Sequence, residues 1–222
     1  MPLERLRILG NPNIGVYICA SNKYALIPKG VTPQVKQKVS EVLNVETVEA
    51  QVAGTPLLGV FLVCSDDVIL APNIMRDDEI NELREIGFRV IVIETKHTAL
   101  GNVVLCNSKA ALLSIELSED EVKSIINSLG IDRFKVGKIA NMTAVGSAAV
   151  ITDKGAVVHP DVSDEELRFI SEFFNVNADI ATVNFGVAFI KTGLVANNYG
   201  ALVGERTTGP EIMRIMKALG IG

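Results

Sequence analysis

The chain has 222 residues, is 48% hydrophobic and sets 26 acidic side chains against 21 basic ones, for a net charge of −5. Binding to nucleic acid rests on Lys and Arg neutralising phosphates; here no two basic residues are adjacent, aromatics are 5% and there is no Trp to stack on a base, so little direct nucleic-acid contact is expected. No apolar run reaches the ~20 residues of a bilayer span, and the start, with Glu4, Arg5 and Arg7 among leucines, has no signal-peptide pattern. A soluble, cytoplasmic protein with no membrane contact is expected.

In chain order, a β-prone run at 6–9 comes first. A glycine then returns five times, at Gly15, Gly59, Gly101, Gly146 and Gly193, in steps of 44, 42, 45 and 47 residues. A period of that size marks one supersecondary unit repeated until its apolar faces cover each other. The first unit continues with the apolar run 16–19, the polar turn Ser21-Asn22-Lys23 and a second apolar run at 24–27. Two such runs about a short polar turn predict a hairpin. Val35, Val39 and Val42 then repeat at helical spacing behind Thr32 and Pro33, a helix start, and 47–52 reads as a strand.

The same order recurs. The second unit has 60–63, the turn Ser65-Asp66-Asp67, the stripe Ile80, Leu83, Ile86 and the strand 88–93. The third has 103–105, Asn107-Ser108-Lys109, the stripe Val122, Ile125, Ile126, Leu129 and the strand 134–139. The fourth has 148–151, Thr152-Asp153-Lys154-Gly155, the stripe Leu167, Ile170, Phe173, Phe174 and the strand 181–185. The fifth has 194–196, Asn197-Asn198-Tyr199-Gly200 and the stripe Ile212, Ile215, Met216, Leu219. Ser118 with Glu121, Ser163 with Glu166 and Thr208 with Glu211 have the spacing of a capping box.

Each unit is therefore strand, strand, helix, strand. The fifth lacks its last strand, and the N-terminus has one to spare. The simplest inference is that 6–9 completes the fifth unit and closes a ring, placing Met1 and Gly222 on one rim. Closure removes the exposed sheet edges that invite aggregation. Residues 1–222 are then expected to form a single five-repeat ring domain, with repeats starting near residues 14, 58, 100, 145 and 192. The alternative is five unrelated β-β-α segments in an open sheet.

Chemistry-bearing residues are few. Three cysteines with no close pair argue against a disulfide framework or a zinc site. Cys64 and Cys106 stand five residues after their glycines, Cys19 one position off that register, and all three are expected to be small apolar strand residues. Only His97 and His159 could serve as near-neutral bases, and they fall in different units. No phosphate loop, His-Glu-x-x-His pair or Cys-x-x-Cys pair occurs. No catalytic residue, metal or cofactor is expected.

The glycine registers, the five-unit closure and the stretches Ala99-Leu100-Gly101-Asn102-Val103, Val145-Gly146-Ser147 and Thr182-Val183-Asn184 resemble the translation initiation factor 6 family, ribosomal anti-association factors of archaea and eukaryotes. The resemblance covers essentially the whole chain, and the end at Gly222, just after the last helix, is like that of an archaeal member. It implies an α/β fold, a pentein-type β/α propeller of five pseudo-symmetric ββαβ repeats, strands near the axis and helices outside. It also implies a cofactor-free monomer that docks on the large ribosomal subunit, against ribosomal protein near the sarcin–ricin loop, and blocks joining of the small subunit, with a further link to large-subunit biogenesis.

By matching motifs, the resemblance transfers ribosome-binding roles to Val60, Asn102, Ser147 and Ala148; symmetry adds Val16 and Leu194. The competing expectation is a guanidino-modifying hydrolase or amidinotransferase of the same propeller class. Those enzymes use a nucleophilic Cys in the last unit, and from Gly193 onward there is neither Cys nor His.

Overall fold

The computed structural model describes residues 2–221. β1 (Leu3–Leu6) precedes a first unit of α1 (Ile14–Tyr17), β2 (Cys19–Ala20), β3 (Tyr24–Pro28), α2 (Pro33–Leu43) and β4 (Glu46–Ala50). The second unit is α3 (Leu58–Phe61), β5 (Val63–Cys64), β6 (Ile69–Pro72), α4 (Asp77–Glu85) and β7 (Val90–Ile93). The third is α5 (Leu100–Val103), β8 (Val104–Cys106), β9 (Ala110–Ser114), α6 (Glu119–Leu129) and β10 (Arg133–Gly137). The fourth is α7 (Val145–Ala148), β11 (Ala149–Ile151), β12 (Gly155–Val158), α8 (Asp164–Phe174) and β13 (Asn177–Ile180). The fifth is α9 (Ile190–Gly193), β14 (Leu194–Ala196), β15 (Ala201–Gly204) and α10 (Gly209–Leu219).

Every unit builds one three-stranded sheet, an antiparallel hairpin whose second strand pairs in parallel with the strand after the long helix. The fifth sheet takes its third strand from the N-terminus: β1 runs parallel to β15, from Leu3 opposite Ala201 to Leu6 opposite Gly204. The one-turn helices touch in cyclic order, α1 to α3, α5, α7, α9 and back to α1. The result is the expected α/β propeller of five ββαβ units, closed by the first strand. The expectation for Met1 and Gly222 lies outside the described residues.

The five apolar cores sit between units. One, for example, joins Val63 and Leu70 of the second unit to Leu113, Ile125 and Ile126 of the third. A unit therefore has no complete core of its own, which is why it repeats. The long helices begin where the caps predict. Ser118, Ser163 and Thr208 each accept from the amide three residues on, with the N3 glutamate bonding back, and Thr32 caps α2 ahead of Pro33.

Four expectations about the fold are corrected. The closing strand lies at Leu3–Leu6 rather than 6–9, because Leu9 (φ 49°) and Gly10 (φ 75°) turn the chain immediately after Ile8. Likewise β13 precedes 181–185, where Asn184 (φ 50°) and Phe185 (φ 68°) form the equivalent turn. The repeated glycines do not open strands; they are the second residues of the one-turn helices. A Cβ on Gly59, Gly101 or Gly146 would run into the carbonyl oxygen of the glycine one unit back. Only a residue without a side chain lets these turns meet. In the fifth unit that position belongs to Lys191, whose carbonyl faces Gly15, while Gly193 packs on Val183 and Asn184.

The fourth correction is a disulfide between Cys19 and Cys64, with Cα atoms 5.9 Å apart, joining the first two units. Ala20, not Cys19, holds the register position of Cys64. One residue along a strand is the opposite face of the sheet, so Cys19 points into the core shared with Leu58 and Leu62 of the second unit. The offset visible in the sequence is what makes the bridge possible.

Candidate docking face

Four of the five one-turn helices are delivered by a tight turn, closed by the bridges Ile8–Asn11, Val52–Thr55, Ile139–Met142 and Val183–Val187 ahead of the first, second, fourth and fifth helices. Three of these turns are held by the same carboxylates that cap the long helices. Glu79 accepts the amides of Ala53 (2.8 Å) and Gly54 (2.7 Å), Glu166 that of Ala140 (3.0 Å), and Glu211 those of Phe185 (3.2 Å) and Gly186 (2.8 Å). Burial pushes the Glu79 and Glu211 carboxyls upward. The amides of Gly54, Arg76 and Ala53 on Glu79, and those of Thr208 and Gly186 on Glu211, outweigh it and hold both below the usual carboxylate range.

The residues that follow the axial position are Val16, Val60, Asn102 and Ser147, all half-buried. They occupy one register position on helices that close a ring, and so collect at one end of the axis. Among the described residues, the Asn102 carboxamide and the Ser147 hydroxyl make no side-chain hydrogen bond, which leaves donors and acceptors facing outward. Ala148 and Leu194 do not join this face: they are 0% and 1% exposed, inside the core. The symmetric fifth member is Thr192, half-buried on α9, because the fifth unit is registered on Lys191.

Sequence reasoning also missed an apolar rim. Leu9, Phe185 and Phe189 are 51%, 78% and 41% exposed on the turns leading into α1 and α9. Asn184 Nδ2 ties these turns together by donating to Pro12 O (2.9 Å) and Asn13 Oδ1 (3.2 Å). The signal was present as an aromatic beside Gly186 in a turn, a place where burial cannot follow.

The opposite end of the axis is ringed by the hairpin turns, linked unit to unit. Asn22 bonds Asp66, Ser108 bonds Asp153, Asp153 bonds Asn198, and Asn198 bonds Asn22. Between the ends run two cavities of about 160 and 110 Å³ that share Ala20, Cys64, Cys106, Ile151 and Ala196. The first cavity is lined by the hairpin-turn residues, Ser108 and Asp153 among them, and the second by Cys106 and Lys191. Cys19 and Cys64 are bridged, and burial raises the Cys106 thiol to about 11. His159 is buried against Phe189, with Nδ1 accepting the Asp161 amide at 3.2 Å, and His97 lies beside Glu116.

A family model described as the eIF-6 family matches residues 3–218. The chain is 48% identical over 222 residues to "Translation initiation factor 6" of Saccharolobus islandicus (strain L.S.2.15 / Lassen #1), covering 99% of this chain and all of the relative. It is 46% identical over 226 residues to the protein of that name from Staphylothermus marinus, covering 100% and 99%. The match to the Pyrococcus abyssi protein is 39% over 227 residues and covers both chains completely. These relatives bear a translation factor's name and not an enzyme's. With five units, a closing N-terminal strand and full-length similarity in agreement, the chain belongs to the eIF-6 family.

Proposed function

We propose that this protein is a translation initiation factor that binds the large ribosomal subunit through the end of the ring carrying Val16, Val60, Asn102, Ser147 and Thr192, and there prevents joining of the small subunit. The observation that carries the reading is the Asn102 carboxamide, without a hydrogen bond among the described residues and set in a ring of half-buried residues, with Leu9, Phe185 and Phe189 exposed on the turns that lead into α1 and α9. A few polar groups at an apolar, shape-defined surface suit a protein partner. The negative net charge favours ribosomal protein over bare rRNA as the principal contact, in keeping with docking near the sarcin–ricin loop. No chemical step is needed: a rigid body of 23.8 kDa at the joining face excludes the small subunit by overlap, in proportion to occupancy. The factor acts as one cytoplasmic, monomeric unit, with a second role in large-subunit biogenesis.

The test is sucrose-gradient sedimentation with purified subunits. The protein is expected to travel with the large subunit and to deplete the joined peak. Sedimentation at the top of the gradient, with joining intact, would defeat the proposal.

A further inference from the structure

Lys191 stands where the other four units place glycine. The Lys191 side chain lines the cavity between the one-turn helices and the inner strands. Its ammonium crosses from the fifth unit to the third and donates to the carbonyl oxygen of Gly101 at 2.6 Å, its only hydrogen-bond acceptor among the described residues. The surrounding cavity of about 110 Å³ is lined by apolar side chains such as Ile18, Leu62, Leu105 and Val150, and by no carboxylate. Gly101 immediately precedes Asn102 on the four-residue α5.

We propose that Lys191 is a positioning residue of the docking face: its bond across the axis pins the α5 turn and thereby fixes the Asn102 carboxamide, which has no hydrogen bond of its own. The proposal rests on the docking reading given above.

The electrostatics separate this role from an ordinary stabilising one. Burial lowers the Lys191 ammonium from 10.5 to about 8. The titratable group facing it is Cys106, whose thiol burial raises to about 11 and keeps neutral near pH 7. The bridged Cys19 and Cys64 do not titrate. Between pH 8 and 10.5 the unfolded chain holds this proton more firmly than the folded one, so through Lys191 stability rises with pH. The charge on the bond to Gly101 is lost in the folded protein as pH rises through about 8. Fold stability and docking should therefore move in opposite directions.

The experiment compares the parent, Lys191→Met, Asn102→Ala and the double variant. Amide exchange, denaturation midpoint and affinity for purified large subunits are measured, the last at pH 7 and pH 9. Lys191→Met keeps the length and removes the charge. Its midpoint is expected to match or exceed the parent's, with faster exchange at the Asn102 and Val104 amides. Affinity at pH 7 should fall about 3- to 10-fold, the scale of one hydrogen bond. The parent should lose a similar factor between pH 7 and 9, the methionine variant should be flat, and Asn102→Ala should mask the loss. Unchanged exchange, an equal loss in the Asn102→Ala background, or the parent's pH profile surviving in the methionine variant would each overturn the proposal. Accelerated exchange with every variant binding like the parent would instead remove the docking face, and this proposal with it, while leaving the bond across the axis in place.

Discussion

At the scale of single residues, the chain economises by giving one carboxylate two tasks. Glu79 and Glu211 are 3% and 8% exposed, cap the first turns of α4 and α10, and at the same time hold the turns that present the one-turn helices. Glu121 caps α6; burial pushes its carboxyl up, but the Thr95 and Ser118 hydrogen bonds bring it down to about 2. All three bind a proton less readily folded than unfolded. As pH falls the unfolded chain is protonated first. The stability they contribute is full above the usual value of 4.5 and drains away toward pH 2. Glu211→Gln should flatten the acid limb of a melting-temperature curve and cost about 1–3 kcal/mol at pH 7, since a neutral amide oxygen replaces a charged acceptor for several amides. An acid limb identical to the parent's would show that Glu211 carries none of it. At the face itself, Asn102→Arg should crowd the ring and strand partner groups, at a cost of about 1–3 kcal/mol, or roughly 5- to 150-fold in affinity. Folding should be unaffected, because Asn102 is half-buried at the surface. Undiminished binding by this variant would place the contact elsewhere.

At the scale of elements, the long helices were legible and the short ones were not. An eleven-residue helix such as α8 shows three turns of periodicity and a capping box, so Ser163 and the stripe from Leu167 to Phe174 located it from sequence. A four-residue helix such as α5 shows one turn and no period, and its apolar residues read equally well as the start of a strand. The same ambiguity displaced part of the site. In the fifth unit the eye follows glycine to Gly193. The structural marker is the buried apolar residue that opens each turn: Ile14, Leu58, Leu100, Val145 and Ile190. Counting from it yields Lys191 and Thr192, and removes Leu194. β13 was missed for another reason, since Asn177 and Asp179 lack the apolar character of an inner strand, and it pairs on one side only, with β12. Where the sequence was explicit the energetics should follow. Ser163→Ala should lower stability by about 1 kcal/mol, the usual worth of an N-cap, without altering subunit binding. A denaturation midpoint equal to the parent's would mean that the box contributes nothing.

At the scale of the whole molecule, the ring has five junctions, and two of them carry a disulfide or a shared strand in addition to packing and hydrogen bonds. The Cys19–Cys64 bridge crosses between units one and two, spanning 45 residues. Restricting an unfolded loop of that length is worth about 2–4 kcal/mol. Replacing both cysteines by serine should lower the melting temperature under oxidising conditions and make it insensitive to reductant. The junction between units five and one depends on β1, which among the described residues is the segment that binds the two ends of the chain into one sheet. Leu6 and Ile8 are 4% and 0% exposed and sit in the core shared with Ile14, Ile27 and Val195. Removing residues 1–10 would strip that core of two large side chains and leave β15 with a free edge of unpaired backbone groups. Lost burial lowers stability, and a bare edge invites pairing with another chain. The truncated protein should therefore melt well below the parent and elute as larger species on size exclusion, in a concentration-dependent way. The other four sheets keep all three strands, so circular dichroism should retain most of its native shape. If the truncated chain melts with the parent and runs as the same species, closure through β1 is not what holds the ring together.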